Sequence, residues 1–139
     1  MEDVLPELTG RIIRSAIEVH RRLGPGLLEK TYHACLHRQL TLDGMEVAEQ
    51  VPVPIEYQGL TLEAGYRADL IVDRAAILEL KAVEKLLPVH ETQMLTYLKL
   101  TGLPVALLLN FNVTRPKLRP YGRRFSVFSA LSAVSAYQP

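Results

Sequence analysis

Tyr66-Arg67-Ala68-Asp69-Leu70-Ile71-Val72 and, a few residues later, Ile77-Leu78-Glu79-Leu80-Lys81 decide how this chain is read. Both runs have the length and apolar character of strands, and the short turn Asp73-Arg74-Ala75 sets them side by side. Side chains alternate across a strand, so Glu79 and Lys81 share a face, and Arg67 shares one with Asp69. A carboxylate heading a buried-type run such as Leu70-Ile71-Val72 needs a partner. The pair of strands therefore gathers an Asp, a Glu and a Lys in apolar surroundings.

Upstream, residues 47–57 read as a strand, with Val51, Val53, Ile55 and Tyr57 alternating against polar or proline positions. Pro52 and Pro54 cannot donate to a ladder, which puts this strand at an edge. Gln58-Gly59 turns the chain into Leu60-Thr61-Leu62, and Gly65 precedes the Asp69 strand. With residues 76–83 these strands form an antiparallel meander. Farther upstream, Leu5, Leu8, Ile12, Ile13, Ala16, Ile17 and Val19 predict an amphipathic helix over 5–23, stopped by Gly24-Pro25-Gly26. A second helix spans 27–42, with a stripe of Leu28, Tyr32, Cys35, Leu36 and Leu40, and ends at Asp43-Gly44.

Downstream, Leu87-Pro88 opens a helix that runs to about residue 100 and stops at Thr101-Gly102. The apolar strand 105–110 follows, and the helical crossover makes it parallel to the Glu79 strand. Residues 111–124 are loop-rich, 125–128 form a last short strand, and 129–139 form a small-residue tail. The expectation is one domain over 1–128, an α/β (α+β) fold with a small mixed sheet flanked by helices.

The 139 residues suffice to bury a core without staples. A hydrophobic share of 48% and a charged share of 22% are those of an ordinary globular chain. The apolar runs are too short to span a bilayer, and the acidic start Met1-Glu2-Asp3-Val4 is unlike a secretory signal. Cys35 is the sole cysteine, which excludes an internal disulfide and a cysteine metal cluster. A cytoplasmic protein without a membrane partner is the simplest reading.

A net charge of +1 does not announce nucleic-acid binding, but charge distribution matters more than the sum. Arg115, Lys117, Arg119, Arg123 and Arg124 lie close together with no acid among them, and Arg11, Arg14, His20, Arg21 and Arg22 form a second cluster. Each reads as a solvated face that permits phosphate contacts.

Magnesium and manganese prefer carboxylate oxygens and water, and magnesium commonly takes one or two protein carboxylates. Asp69 and Glu79 suit that role, with the Leu80 carbonyl as a third oxygen. Lys81 beside them would stabilise developing negative charge. The competing reading is a strand-borne ion pair, because Glu-x-Lys is common on strands. Glu29 stands in the first turn of the second helix, where the helix dipole alone favours an acid. Tyr32 follows it at i+3, and His90, Gln93 and Tyr97 share a face of the third helix. Taken singly, these read as packing, cap or structural hydrogen-bonding groups.

Taken together they match a pattern. Gly26-Leu27-Leu28-Glu29-Lys30-Thr31-Tyr32 is a G-x-x-E-x-x-Y motif, and Asp69, Glu79-Leu80-Lys81 and Gln93-Met94-Leu95-Thr96-Tyr97 follow in order. The chain resembles the GxxExxY protein family of the PD-(D/E)XK phosphodiesterase superfamily over residues 5–125, and Leu109-Asn110-Phe111 also looks familial. One departure is Ala68, where the superfamily's name has proline before the Asp.

The resemblance implies a restriction-endonuclease-like core and a nuclease that cleaves DNA, or RNA, with Mg2+ or Mn2+. It implies Asp69 and Glu79 as metal-binding acids, Lys81 as the catalytic lysine, and Glu29 as an additional helix acid touching the metal or its waters. It implies Gln93 and Tyr97 as a Q-x-x-x-Y pair that orients the site. Arg67 is placed to reach a neighbouring phosphate. The alternative is a catalytically silent nucleic-acid-binding or protein-interaction module that keeps the fold. A homodimer, through the proline-bearing edge strand or the first helix, is compatible with a chain of this size.

Overall fold

The computed structural model describes residues 5–63, 65–112, 119–121 and 127–129, the last two segments as backbone only. Helix α1 spans Pro6–Leu23, with proline in the first turn and His20, Arg21 and Arg22 in the last, where cations suit the helix dipole. Helix α2 spans Glu29–Leu42. The chain then enters β1 (Val47–Pro52), the hairpin β2 (Ile55–Tyr57) and β3 (Leu60–Leu62), β4 (Arg67–Val72) and β5 (Ala76–Lys81). Helix α3 (Pro88–Thr101), β6 (Val105–Asn110), β7 (Arg119–Tyr121) and β8 (Val127–Ser129) complete the order.

The expected strand over 47–57 is two strands. Val53 leaves β1 to donate its N–H to Tyr66 O at 2.8 Å, and Pro54, which has no N–H, begins the separate hairpin. Gln58 and Gly59 turn that hairpin with φ of +46° and +85°, the left-handed pair a two-residue turn requires. Among the described residues the main sheet has six strands in the order β1-β4-β5-β6-β8-β7, with β1 at an edge. β1–β4 and β4–β5 are antiparallel, while β5–β6 and β6–β8 are parallel. Strand β7 crosses the segment expected to be loop, because it pairs with β8. Ser129, assigned to the tail, belongs to β8, and 130–139 lie outside the described residues.

The sheet is covered on both faces. Leu70, Leu78, Leu80, Leu107 and Leu109 pack with Ile12, Ala16, Tyr32 and Leu36 of α1 and α2. Ile77, Ala106 and Leu108 pack with Met94, Tyr97 and Leu98 of α3. Strand β6 is buried along its whole length, which explains its unbroken apolar sequence. Leu28, expected in the apolar stripe of α2, is instead an exposed N-cap, 65% accessible.

Candidate active site

The site forms where two strands part. The turn Asp73-Arg74 takes left-handed backbone, φ +52° and +55°. It is held by Glu46, whose carbonyl accepts from Asp73 N and whose N–H donates to Asp73 Oδ1, both at 2.8 Å. From there β4 and β5 are paired through Val72–Ala76, Ile71–Ile77 and Leu70–Leu78. Asp69 and Glu79 stand at the next rung, and there side chains replace the ladder. Asp69 N donates to Glu79 Oε2 at 2.6 Å, and Leu80 N donates to Asp69 Oδ2 at 2.8 Å.

Glu79 is the only acid or base in the buried class among the described residues, 4% accessible. Its carboxyl is pushed up to about 8, first by burial, then by the Asp69 charge, with the Asp69 N–H and Lys81 opposing. It also shares a hydrogen bond with the Asp69 carboxyl. Among the described residues no Lys, Arg or His forms an ion pair with either acid. Two hard-oxygen ligands without a cation partner are a donor set that fits a divalent ion of the magnesium type, which keeps several waters. No cluster of three or more His, Cys, Asp or Glu among the described residues offers a larger cage.

Lys81 is half-buried beside this pair, and its charge acts on Glu79, Glu29 and His90. Its backbone is fixed by pairing with Asn110 and by Phe111 N, which donates to Lys81 O at 2.9 Å. The buried Asn110 side chain then ties down the following loop. Its Nδ2 donates to Val83 O at 2.9 Å, and its Oδ1 accepts from Val83 N at 3.2 Å.

Glu29 enters from α2, and the G-x-x-E-x-x-Y motif shows how. Gly26 takes φ +96°, the backbone region glycine enters freely. The fully buried Tyr32 hydroxyl donates to Gly24 O at 2.6 Å and accepts from Leu27 N at 3.1 Å, while its ring stacks on Phe111 at 4.7 Å. The turn is thereby pinned to the core and Glu29 becomes the first residue of the helix. Its carboxyl is pushed up by partial burial, with Asp69 adding and Lys81 and His33 opposing.

Gln93 and Tyr97 touch neither acid directly. Gln93 Nε2 donates to the Tyr97 hydroxyl at 3.2 Å, which donates to Arg67 O at 3.4 Å, so the pair braces β4 two residues before Asp69. Tyr97 is held neutral by burial and by the nearby Glu79 charge. His90 caps α3, its Nδ1 accepting from Leu87 N at 3.0 Å. The Arg67 guanidinium is exposed and donates to Gln50 O at 3.4 Å. Of the basic cluster, Arg115, Lys117, Arg123 and Arg124 lie outside the described residues, and Arg119 is placed in β7 without its side chain. Of the α1 cluster, Arg21 and Arg22 pair with Glu18 and Arg11 donates to Asp43 O, which fits a solvated face.

A cleft of about 560 Å³ opens beside Asp69, lined by Leu28, Glu29, Lys30, His33, Gln50 and Leu80. His33 and Gln50 were not singled out from the sequence. His33 lies four residues after Glu29, the spacing that puts both on one helix face, and that signal was available.

No curated protein and no solved structure matches the chain. A family model described as the PD-(D/E)XK nuclease superfamily matches residues 6–124. The match runs through the diverging strands, the Glu-x-Lys of β5 and the bracing helices on either side, and the chain belongs to the PD-(D/E)XK nuclease superfamily.

Proposed function

We propose that this chain, as a GxxExxY-type member, hydrolyses phosphodiester bonds in DNA with Mg2+ or Mn2+ held by Asp69 and Glu79. The observation that carries the reading is the carboxyl pair at the parting of β4 and β5, one member buried and neither paired with a cation among the described residues. A bound divalent ion supplies Lewis acidity and a more acidic water. The chain's own residues do the rest. Asp69 and Glu79 hold the site open to a cation, and Glu29 accepts hydrogen bonds from water at the mouth of the cleft. Lys81 places its ammonium where negative charge grows as water adds to phosphorus and the P–O bond to the leaving sugar breaks. Gln93 and Tyr97 keep β4 in register. Arg67, and the segment bearing Arg115, Lys117, Arg119, Arg123 and Arg124, supply phosphate contacts.

The test is cleavage of single- and double-stranded DNA and RNA with Mg2+ or Mn2+, beside Lys81→Ala and Glu79→Ala. Each substitution should slow cleavage by about 100-fold or more. Equal rates in all three chains would sink the assignment. A second reading is a silent binding module that keeps the fold. It is favoured by the two carboxyl oxygens already bonded to backbone amides. Salt-dependent DNA binding without cleavage by the wild type would select it.

A further inference from the structure

Both backbone polar groups of Asp69 are bonded to side chains. Its N–H goes to Glu79 Oε2 at 2.6 Å, and its carbonyl faces His33 Nε2 at 3.2 Å. The recorded rungs are Glu49–Leu70 and Val51–Ala68, and Gln50 between them is turned into left-handed backbone with φ +50°. Rungs flank Asp69 on both sides, and at Asp69 itself the side chains of Glu79 and His33 reach the backbone. A carbonyl can only accept, so Nε2 carries the hydrogen and donates. The other ring nitrogen, Nδ1, faces Glu49 Oε2 at 3.8 Å, across the helix–strand seam. His33 is half-buried and lines the same cleft as Glu29 and Asp69.

We propose that His33 is a positioning residue for the metal-binding acid Asp69: its ring clamps the Asp69 carbonyl and so sets the direction in which the carboxylate meets the cation. The role rests on the metal-dependent reading above, and it is the kind of outer support that fixes a ligand without touching the ion. It also makes α2 a two-part element, with Glu29 at the mouth of the site and His33 one turn deeper holding the strand.

The experiment is calorimetric titration of Mn2+ into the metal-free wild type, His33→Ala and His33→Gln, with urea unfolding of each in chelator. His33→Ala should weaken Mn2+ binding by about 10- to 100-fold. His33→Gln keeps an N–H donor on a flexible stem and should recover most of that loss. Wild-type binding that His33→Ala leaves unchanged overturns the clamp alone, even where the variant is less stable, because the ring then serves only to dock α2. A wild type that takes up no Mn2+ overturns the metal reading and the clamp with it. Equal loss in both variants also overturns it, since the donated hydrogen bond would then not be what matters.

Discussion

Glu79 concentrates the tension in this molecule. An acid 4% accessible beside a second carboxylate is costly to ionise, and its carboxyl sits near 8 instead of its usual 4.5. The folded chain thus holds a proton that the unfolded chain releases between those values. Its contribution to stability is complete below about 4.5 and is lost as pH rises through about 8. Urea unfolding in chelator should therefore show stability falling from pH 5 to pH 8.5, by a few kcal/mol at most, and Glu79→Gln should flatten the slope. An equally steep slope in the variant would mean that another group carries it. That Asp69 and Glu79 lie on neighbouring strands was legible in the sequence, because both runs read as strands joined by a short turn. Their protonation was not, because it depends on β4 and β5 parting at that rung, and no local pattern marks where a ladder stops.

The loop between α1 and α2 shows an element built to deliver one residue. Tyr32→Phe removes a hydroxyl that serves both Gly24 O and Leu27 N. It should cost about 1–3 kcal/mol in urea unfolding with an unchanged denaturant slope. Cleavage should fall as well, because Glu29 loses its anchored turn. A wild-type midpoint would show that water replaces both bonds. Gly26→Ala meets no neighbour within 4 Å, so its penalty, about 1–2 kcal/mol, should come from the φ of +96° alone. On the far side of the site, Asn110→Ala strands Val83 N and O and should cost about 1–3 kcal/mol while loosening the loop after Lys81. Elements with strong periodicity were legible to within a residue or two, as α1, α3 and β6 show. The breaks were less so: Pro52 and Pro54 announced an edge but not the separate β2–β3 hairpin. Asn110 looked like the end of an apolar strand, and its bonds to Val83 depend on contacts 27 residues apart in sequence.

At the scale of the whole molecule, the two cores share one sheet, and the site lies at the parting strands between the helices that cover its faces. Fold class and strand pairing around β4, β5 and β6 were legible because the crossover through α3 leaves few topologies. The way α2 reaches across to Asp69 was not, since the Glu29–His33 spacing gives a shared helix face but not the strand that face meets. A cation held as proposed would be a cross-link, because Asp69 belongs to β4, Glu79 to β5, and Glu29 and His33 bring in α2. A cation bound only by the folded chain stabilises it by mass action, about 2.7 kcal/mol at one hundred times its dissociation constant. Mn2+ should therefore raise the unfolding free energy of the wild type, and more strongly above pH 8, where no proton has to be displaced from Glu79. Glu79→Gln should be the more stable chain in chelator at high pH, having no buried charge to form, yet should gain little from Mn2+. The two chains then exchange rank as metal is added. A wild type indifferent to Mn2+ at pH 8.5, or a Glu79→Gln that gains as much, would mean the carboxyl pair is a structural wedge and not a metal site.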